Sequence, residues 1–401
     1  MLRKASVQTR PQWTANIRDA TAYSSPMANS DIARSFFETF TRFMKGNAKA
    51  QELRQYLATD VDLTLPGGGS GGPETAGVVA SGYGSVNQPT VNNGSGDPLY
   101  YPGVPTGADN AMRSLKSFRS DIDTQKIAER HLIGGGKGLA NNNPFGEPEY
   151  VDNQVAILSD IFAKDKKNGN SFRLDSAAFI GIDNNGKIDS FDLQFDSYVM
   201  SQALADATPL IANPDMDKAM RGNYDTVVSP SDTEGATLNF FGTFATAVPP
   251  DPAQLDVLTG VLTDNARAKF QGDPRYQLSA RNKIKPGINN YLGVQKDSWV
   301  QTISEVFAME QLFSGNGVSV AKYNEQRISA GPGFKERTGF PSLGRIVQIP
   351  ASITTYIANT EQGYRTSGTE GLFDTVPIMT ATYGSTPFPL PTKNYVGPLD
   401  L

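Results

Sequence analysis

The sequence predicts an α+β protein in which one fold occurs twice. SFFETF at 35–40 returns as NFFGTF at 239–244, an offset of 204 residues, and YLATDVDLTL at 56–65 aligns with VLTDNARAKF at 261–270. In each half, helical periodicity is followed by strand-like segments. A length of 401 residues also exceeds one ordinary domain. We therefore expect two tandem domains, each with helices first and an antiparallel meander after them.

The first half opens with an aromatic helix. An N-cap at Ser30 or Asp31 begins it and Gly46 ends it. The apolar residues that recur on one face at helical spacing are Ile32, Phe36, Phe37, Phe40 and Phe43. A short helix and a strand are predicted next, within residues 50–65, and the pattern of residues 107–126 predicts a third helix.

Four strands complete the first half, and they are predicted at 127–133, 155–162, 172–182 and 188–195. KDKKNGNS and DNNGK supply the turns between the last three, because Asn-Gly adopts the positive φ that tight hairpins need. In the second half we predict a helix over 288–309 and strands at 318–323, 344–359 and 376–384.

Changes in composition give the domain boundaries. We predict an N-terminal arm at 1–28, a first domain at 29–205 with a Gly/Ser/Asn-rich insertion at 66–98, a linker at 206–230, a second domain at 231–384 and a Pro-rich tail at 385–401. Arms and tails of this composition commonly become ordered on binding.

Composition limits the chemistry. Without Cys, and with His131 as the one histidine, thiolate and histidine-rich metal sites are excluded. We expect no metal and no cofactor. A net charge of −5 without a basic block argues against nucleic acid as a partner. No apolar run reaches the length of a membrane span, and no signal peptide is visible, so a cytoplasmic location is the default expectation.

The closing hairpin, FIGIDNNGKIDSFDLQFD at 179–196, resembles that of the nuclear transport factor 2-like (SnoaL-like) superfamily. Gly186, Lys187, Ile188 and Asp196 fit its pattern. The resemblance implies a cone, in which a curved sheet wraps the helices and encloses a pocket. It also implies pairing through the sheets, so that two fused domains would form a pseudo-dimer.

Alternation along the last strand places its apolar side chains inward and its acids outward. In hydrolases of the limonene epoxide type, the resemblance implies a catalytic acid two residues after an aromatic. Phe191 matches the aromatic, but Leu193 holds the position of the acid and cannot transfer a proton. A strand register slipped by one residue would bring Asp192 into the pocket instead.

Other candidate catalytic residues are His131 and the Arg173–Asp175 pair. His131 is either a general base or a structural residue of a strand. Arg173 and Asp175 form either an acid–base site or a solvated ion pair. Candidate pocket residues are Phe36, Phe40, Phe191, Leu193, Trp299 and Tyr356, with core packing as the alternative for the phenylalanines.

These observations leave three hypotheses of function. The first is a non-catalytic structural or binding protein that self-associates through sheets, arm and tail. The second is a lyase, isomerase or epoxide hydrolase acting on a small apolar molecule, and the third is a carrier of a hydrophobic ligand or pigment. The scarcity of reactive residue types favours the first, and the sequence leaves enzymatic activity undecided.

Overall fold

The computed structural model describes residues 26–65, 78–79, 107–139, 148–166, 169–196, 199–200, 220, 227–247, 251–270, 286–299, 304–328 and 346–373. The predicted tail and the strand predicted at 376–384 lie outside these residues, as do most of the arm, the insertion and the linker.

The first domain contains three helices and five long strands. They are α1 (Pro26–Met44), α2 (Ala50–Arg54), β1 (Leu57–Thr64), α3 (Ala108–Asp121), β3 (Ile122–Leu139), β4 (Pro148–Asp165), β5 (Ser171–Ile182) and β6 (Ile188–Gln194). From the insertion, β2 (Val78–Val79) pairs with a strand of the second domain.

The second domain repeats this order. It contains α4 (Pro230–Phe244), a 3-10 helix (Pro252–Gly260), β7 (Leu262–Phe270), α5 (Ile288–Trp299), β8 (Ser304–Ser314), β9 (Val318–Ile328), β10 (Ile346–Thr360) and β11 (Gly363–Phe373). SFFETF lies on α1 and NFFGTF on α4, so the sequence repeat marks equivalent helices.

Strand order confirms the repeat. The first sheet runs β1-β6-β5-β4-β3 and the second β7-β11-β10-β9-β8. In each, the first strand is parallel to the last, and the remaining pairs are antiparallel. Even a single hydrogen bond recurs: Ile188 N–H donates to the Tyr56 carbonyl over 2.8 Å and Thr366 N–H to the Val261 carbonyl over 2.9 Å. The predicted fold class, two α+β domains, is confirmed.

The first core lies between the helices and the inner face of the first sheet. Phe36 and Phe40 of α1 are fully buried, and their ring centroids lie 5.1 and 5.3 Å from that of Phe191 on β6. Phe118 of α3 stacks on Phe195 at 5.6 Å. Buried aromatic rings in edge-to-face and stacked contact fill this space, as the core-packing alternative expects.

Hydroxyl groups contribute to the second core. Thr237 of α4 lies 2.6 Å from the Ser319 hydroxyl of β9 and 3.0 Å from that of Thr355 on β10, and all three are fully buried. This triad joins α4 to its sheet by hydrogen bonds. Aromatic packing continues on α4, where Phe240 contacts Phe241 at 5.4 Å.

Turn chemistry fixes the closing hairpin of the first domain. The Asp183 carboxylate accepts from the backbone N–H groups of Asn185 and Lys187, each over 2.8 Å. Gly186 adopts φ +73°, which a residue with a Cβ adopts only with strain. Asn-Gly therefore sets the strand register, as the sequence predicts.

Two predicted elements of the second domain need correction. The helix predicted over 288–309 ends at Trp299, and residues 304–314 form β8, because pairing with β9 prevails over the helical propensity of Glu, Ala and Met. Strand β11 at 363–373 was not predicted, since its three glycines and polar residues conceal strand alternation. None of the described helices is long and apolar enough to cross a membrane.

Candidate functional site

The outer faces of the two sheets, those turned away from the helices, pack on each other; we call this contact the sheet interface. One part of it is apolar and buries Ile133, Ala156, Leu158, Ala177, Phe179, Met220, Phe313, Val318, Val320, Tyr356 and Leu372. Phe179 of β5 and Phe313 of β8 lie 5.6 Å apart between ring centroids. Strands β3 and β8 also pair at Gly136–Phe313, which joins the sheets edge to edge.

Arg130 of β3 is the centre of the polar part. Its Nη1 donates to Glu370 Oε2 over 2.8 Å and its Nη2 to Glu370 Oε1 over 3.2 Å. Its Nε lies 3.4 Å from Asp160 Oδ1, and its Nη1 also donates to the Tyr356 hydroxyl over 3.2 Å. Two donors on two carboxylate oxygens make a bidentate pair, which is geometrically specific.

Three further charges complete the cluster. Arg173 Nη2 lies 3.0 Å from Asp160 Oδ1 and 3.1 Å from Asp175 Oδ1. Lys269 of β7 donates to the Asp175 carboxylate, and its Nζ lies 3.4 Å from Glu370 Oε1. Three cations thus meet three carboxylates, and the cluster is neutral overall. We call these six residues, Arg130, Asp160, Arg173, Asp175, Lys269 and Glu370, the interface cluster.

Burial and charge act in opposite directions on the pKa values of the interface cluster. Burial alone would raise the pKa of Glu370, but the adjacent Arg130 and Lys269 charges outweigh it and hold the pKa at about 2. For Arg130, burial lowers the pKa and Glu370 more than restores it, so the pKa lies above its ordinary range. At Asp160 burial prevails over the arginines and raises the pKa. Glu370 and Arg130 therefore stay ionised at neutral pH.

A second ionic contact crosses the sheet interface at its other end. Lys322 Nζ on β9 lies 2.8 Å from Asp192 Oδ2 on β6 and 3.8 Å from Glu310 Oε2. Its ammonium also lies 5.5 Å from the ring centroid of Phe179. Burial would lower the pKa of Lys322, but Asp192 reverses the shift and the pKa is raised.

The structure brings the catalytic candidates of the sequence to this interface. Arg173 and Asp175 pair, as predicted, but their side chains are each 1% exposed, so the solvated ion pair is corrected to a buried one. The second domain covers them. Asp192 points away from the first core, so the slipped register that would turn it inward does not occur.

His131 also faces the second domain. The register of β3 against β4 shifts between Glu129 and His131, so Arg130 is the extra residue of a β-bulge. The His131 ring lies 6.5 Å from that of Tyr356, nearly edge-on. A bulge therefore brings both Arg130 and His131 to the same residue of the second domain.

The predicted pocket residues fall into three groups. Phe36, Phe40, Phe191 and Leu193 belong to the first core. Tyr356, predicted to line a ligand pocket, lies in the sheet interface, where its hydroxyl donates to Glu370 Oε2 over 3.3 Å. Trp299 ends α5, and its side chain lies outside the described residues.

Sequence reasoning missed Arg130, Asp160, Lys269, Glu370 and Lys322. One signal was available: Asp160 interrupts the apolar run VAILSDIFA on a central strand. A buried carboxylate requires a cationic partner, so this residue indicates a buried ion pair on the central strand, and its partners are Arg130 and Arg173 of the neighbouring strands. Among the described residues no three His, Asp or Glu side chains are placed to hold a metal ion.

No protein-family model matches the sequence, and no curated protein matches it. Similar solved structures are SnoaL-like and NTF2-like proteins, the family that the sequence resemblance names. A SnoaL-like protein from Jannaschia sp. CCS1 is 16% identical, with 39% of this chain and 96% of that chain covered at a TM-score of 0.31. An NTF2-like protein of unknown function from Burkholderia pseudomallei K96243 is also 16% identical, with 44% and 97% covered at 0.29. The epoxide hydrolase/cyclase-like enzyme SalBIII is 11% identical, with 42% and 91% covered at 0.26.

Proposed function

We propose that the chain is a non-catalytic structural or binding protein built from two SnoaL-like domains, which associates with further copies of itself. One observation carries the proposal: the residues that the sequence offers for proton transfer lie in the sheet interface, not beside the helices. Arg173, Asp175 and Asp192 are held in ion pairs there, and His131 contacts Tyr356.

The environment of these residues supports a structural role. A general acid or base needs access to a substrate and a pKa near the working pH. Arg173 and Asp175 are instead almost fully buried between two sheets. A buried carboxylate held by an arginine fixes the position of the strand that carries it.

The first core offers further support. Where the resemblance implies a pocket, Phe36 and Phe40 each contact Phe191, and all three rings are buried. The pairing of sheets that the resemblance implies between chains occurs within this chain. Contacts between copies are then left to the helical surfaces, the arm at 1–28 and the tail at 385–401.

The proposal is tested by the mass and the activity of the full chain. We expect light scattering and negative-stain microscopy to show assemblies larger than one chain, and no turnover of small epoxides or ketones. We also expect no visible absorbance from a bound pigment. A strictly monomeric protein that converts such a substrate would refute the proposal.

A further inference from the structure

The helical surfaces of the two domains differ in charge although the domains repeat one another. Among the described residues of α1, α2, α3 and the link between α1 and α2, the exposed cations are Arg34, Arg42, Lys45, Lys49, Arg54, Arg113 and Lys116, and the exposed acids are Asp31, Glu38 and Asp109. Among the described side chains of α4, the 3-10 helix and α5, the charged residues are the acids Asp232, Glu234, Asp251 and Asp256 and the cation Lys296. The cations of the first domain are dispersed in the sequence, and the fold places them on one helical surface.

A groove of about 760 Å³ lies between α2 and α3, where this basic surface is densest. Ala50 and Met112 contribute its apolar part, and Arg54, Arg113 and Lys116 contribute its charge. A groove that combines apolar surface with cations is suited to an apolar side chain flanked by acids.

The charge of the groove is only partly neutralised from within. Arg54 Nε lies 2.8 Å from Asp109 Oδ1, and this ion pair neutralises one of the three cations of the groove. Within the described part of the chain, neither Arg113 nor Lys116 forms an ion pair. Both are exposed, so their charge is available to an acidic partner.

The matching feature is the 3-10 helix of the second domain. It precedes β7 as α2 precedes β1, so it occupies the equivalent place in the repeat. Val257 is 47% exposed there and follows Asp256, whose side chain is 59% exposed and lies 2.6 Å from Lys296 Nζ on α5. Asp251 caps the helix N-terminus. In the described residues the exposed large apolar side chains are Val227, Leu238, Val257 and Tyr364, all after the first domain.

We propose that the groove between α2 and α3 of one copy receives the 3-10 helix of a second copy. Val257 would lie against Ala50 and Met112, with Asp256 facing Arg113 and Lys116. The proposal rests on the self-association proposed above and assigns its surfaces.

The geometry determines the kind of assembly. The two contact surfaces are different, so the contact is head-to-tail. Each domain's helices lie on the side of its sheet away from the sheet interface, so groove and 3-10 helix lie on opposite sides of the molecule. Each copy can therefore hold two neighbours, which gives open chains or a ring.

Nucleic acid is the competing occupant of a basic groove. The apolar surface of Ala50 and Met112, and the acidic counterpart in the same chain, favour a protein occupant. A single-stranded 20-nucleotide DNA serves as the competing probe in the test.

The test uses sedimentation velocity of the full chain over a range of concentration and salt. The groove variant carries Arg113→Glu and Lys116→Glu, and the helix variant carries Asp256→Lys and Val257→Lys. We expect each change to raise the dissociation constant about tenfold or more, because like charges then face each other. The chain with all four changes should regain association, and a mixture of the two variants should also assemble beyond dimers, because both contacts between unlike variants pair opposite charges.

The matched control is Lys126→Glu with Lys164→Glu, the same change of charge at exposed positions outside the groove. It should associate as the wild type does. Wild-type association should also weaken from about 50 to about 500 mM salt, since exposed charges are screened. This readout does not depend on the folding of any variant.

The outcomes separate this proposal from the previous one. Assembly of the wild type together with undiminished assembly of the groove variant refutes the groove contact and leaves the structural function standing. A monomeric wild type whose groove binds the DNA refutes self-docking. A monomeric wild type with catalytic turnover refutes both proposals.

Discussion

Arg130 and Glu370, 240 residues apart in the sequence, form a bidentate ion pair between the two domains, with N–O distances of 2.8 and 3.2 Å. Arg130 lies on the last strand of its sheet in spatial order, and Glu370 on the strand next to β7. Because both side chains are nearly buried, each depends on the other for compensation of its charge. The two domains are therefore coupled in stability.

We predict that Glu370→Gln destabilises the chain by about 3–5 kcal/mol, because it removes the bidentate partner of Arg130 and leaves three buried cations facing two carboxylates, Asp160 and Asp175. Urea unfolding followed by circular dichroism measures the change. The control is Glu52→Gln, whose carboxylate is 42% exposed and lies 3.6 Å from Arg42. We expect the control to change stability by less than about 1 kcal/mol. Equal effects of both changes would show that the pair contributes no more than a surface pair.

The same pair predicts a loss of stability in acid. The pKa of Glu370 is about 2 in the folded chain against an ordinary value of 4.5. A depressed carboxyl pKa stabilises the fold above pH 4.5, and that contribution is lost as the pH falls toward 2. Asp160 acts in the opposite direction, since burial raises its pKa. Unfolding midpoints from pH 6 to about 2 should fall more steeply for the wild type than for Glu370→Gln. Parallel curves would contradict the assignment.

Much of the fold could be predicted because its signals are local. The phenylalanines of α1 and α4 recur at one offset, and Asn185–Gly186 marks a hairpin whatever the rest of the chain does. Strand β11 could not be predicted, because its sequence GYRTSGTEGLF shows little alternation of apolar and polar residues. It is a strand because it lies between β10 and β7, a condition that its own sequence does not contain.

The candidate site was less predictable because it is formed between distant segments. Arg173 and Asp175 could be predicted as a pair, because side chains two residues apart on one strand lie on the same face of the sheet. Their partners Lys269 and Asp160 come from β7 and β4. A sequence shows which charges a strand carries but not which strand of another domain will cover them.

Phe191 tests whether the first core is packed or is a pocket. We predict that Phe191→Ala costs about 3–5 kcal/mol, because the rings of Phe36 and Phe40 lose their neighbour and a cavity forms. The variant should then bind benzene, which the wild type should not, since apolar cavities stay dry. Calorimetric titration and urea unfolding measure the two effects.

Leu238→Ala is the control for Phe191→Ala, because that side chain is 43% exposed and its removal should leave stability nearly unchanged. If the wild type binds an apolar ligand and Phe191→Ala abolishes the binding, the first core is a ligand pocket. That result would favour the carrier hypothesis over the structural one.

Two glycines should respond to alanine in opposite directions. Gly186 has φ +73°, so Gly186→Ala should destabilise the hairpin by about 1 kcal/mol. Gly235 lies on the exposed face of α4, and a Cβ there would meet nothing within 4 Å. Gly235→Ala should stabilise by about 0.5–1 kcal/mol, because glycine is a poor helix former. Thermal unfolding resolves both shifts in melting temperature. A Gly186→Ala variant that is not destabilised would contradict the turn assignment.

Asp192 and Lys322 distinguish a structural from a chemical role for the last strand of the first domain. Their 2.8 Å contact predicts that Asp192→Asn and Lys322→Met each destabilise the chain. The double variant should lose less stability than the sum of the two single losses, with a coupling of about 1 kcal/mol or more, since each single change removes the same 2.8 Å ion pair. The exposed pair Arg34–Glu129, at 3.9 Å, provides the comparison cycle, and its coupling should be within about 0.5 kcal/mol of zero. Additive effects at Asp192 and Lys322 would mean that Asp192 does not hold the domains together, and its carboxylate would again be a candidate for catalysis.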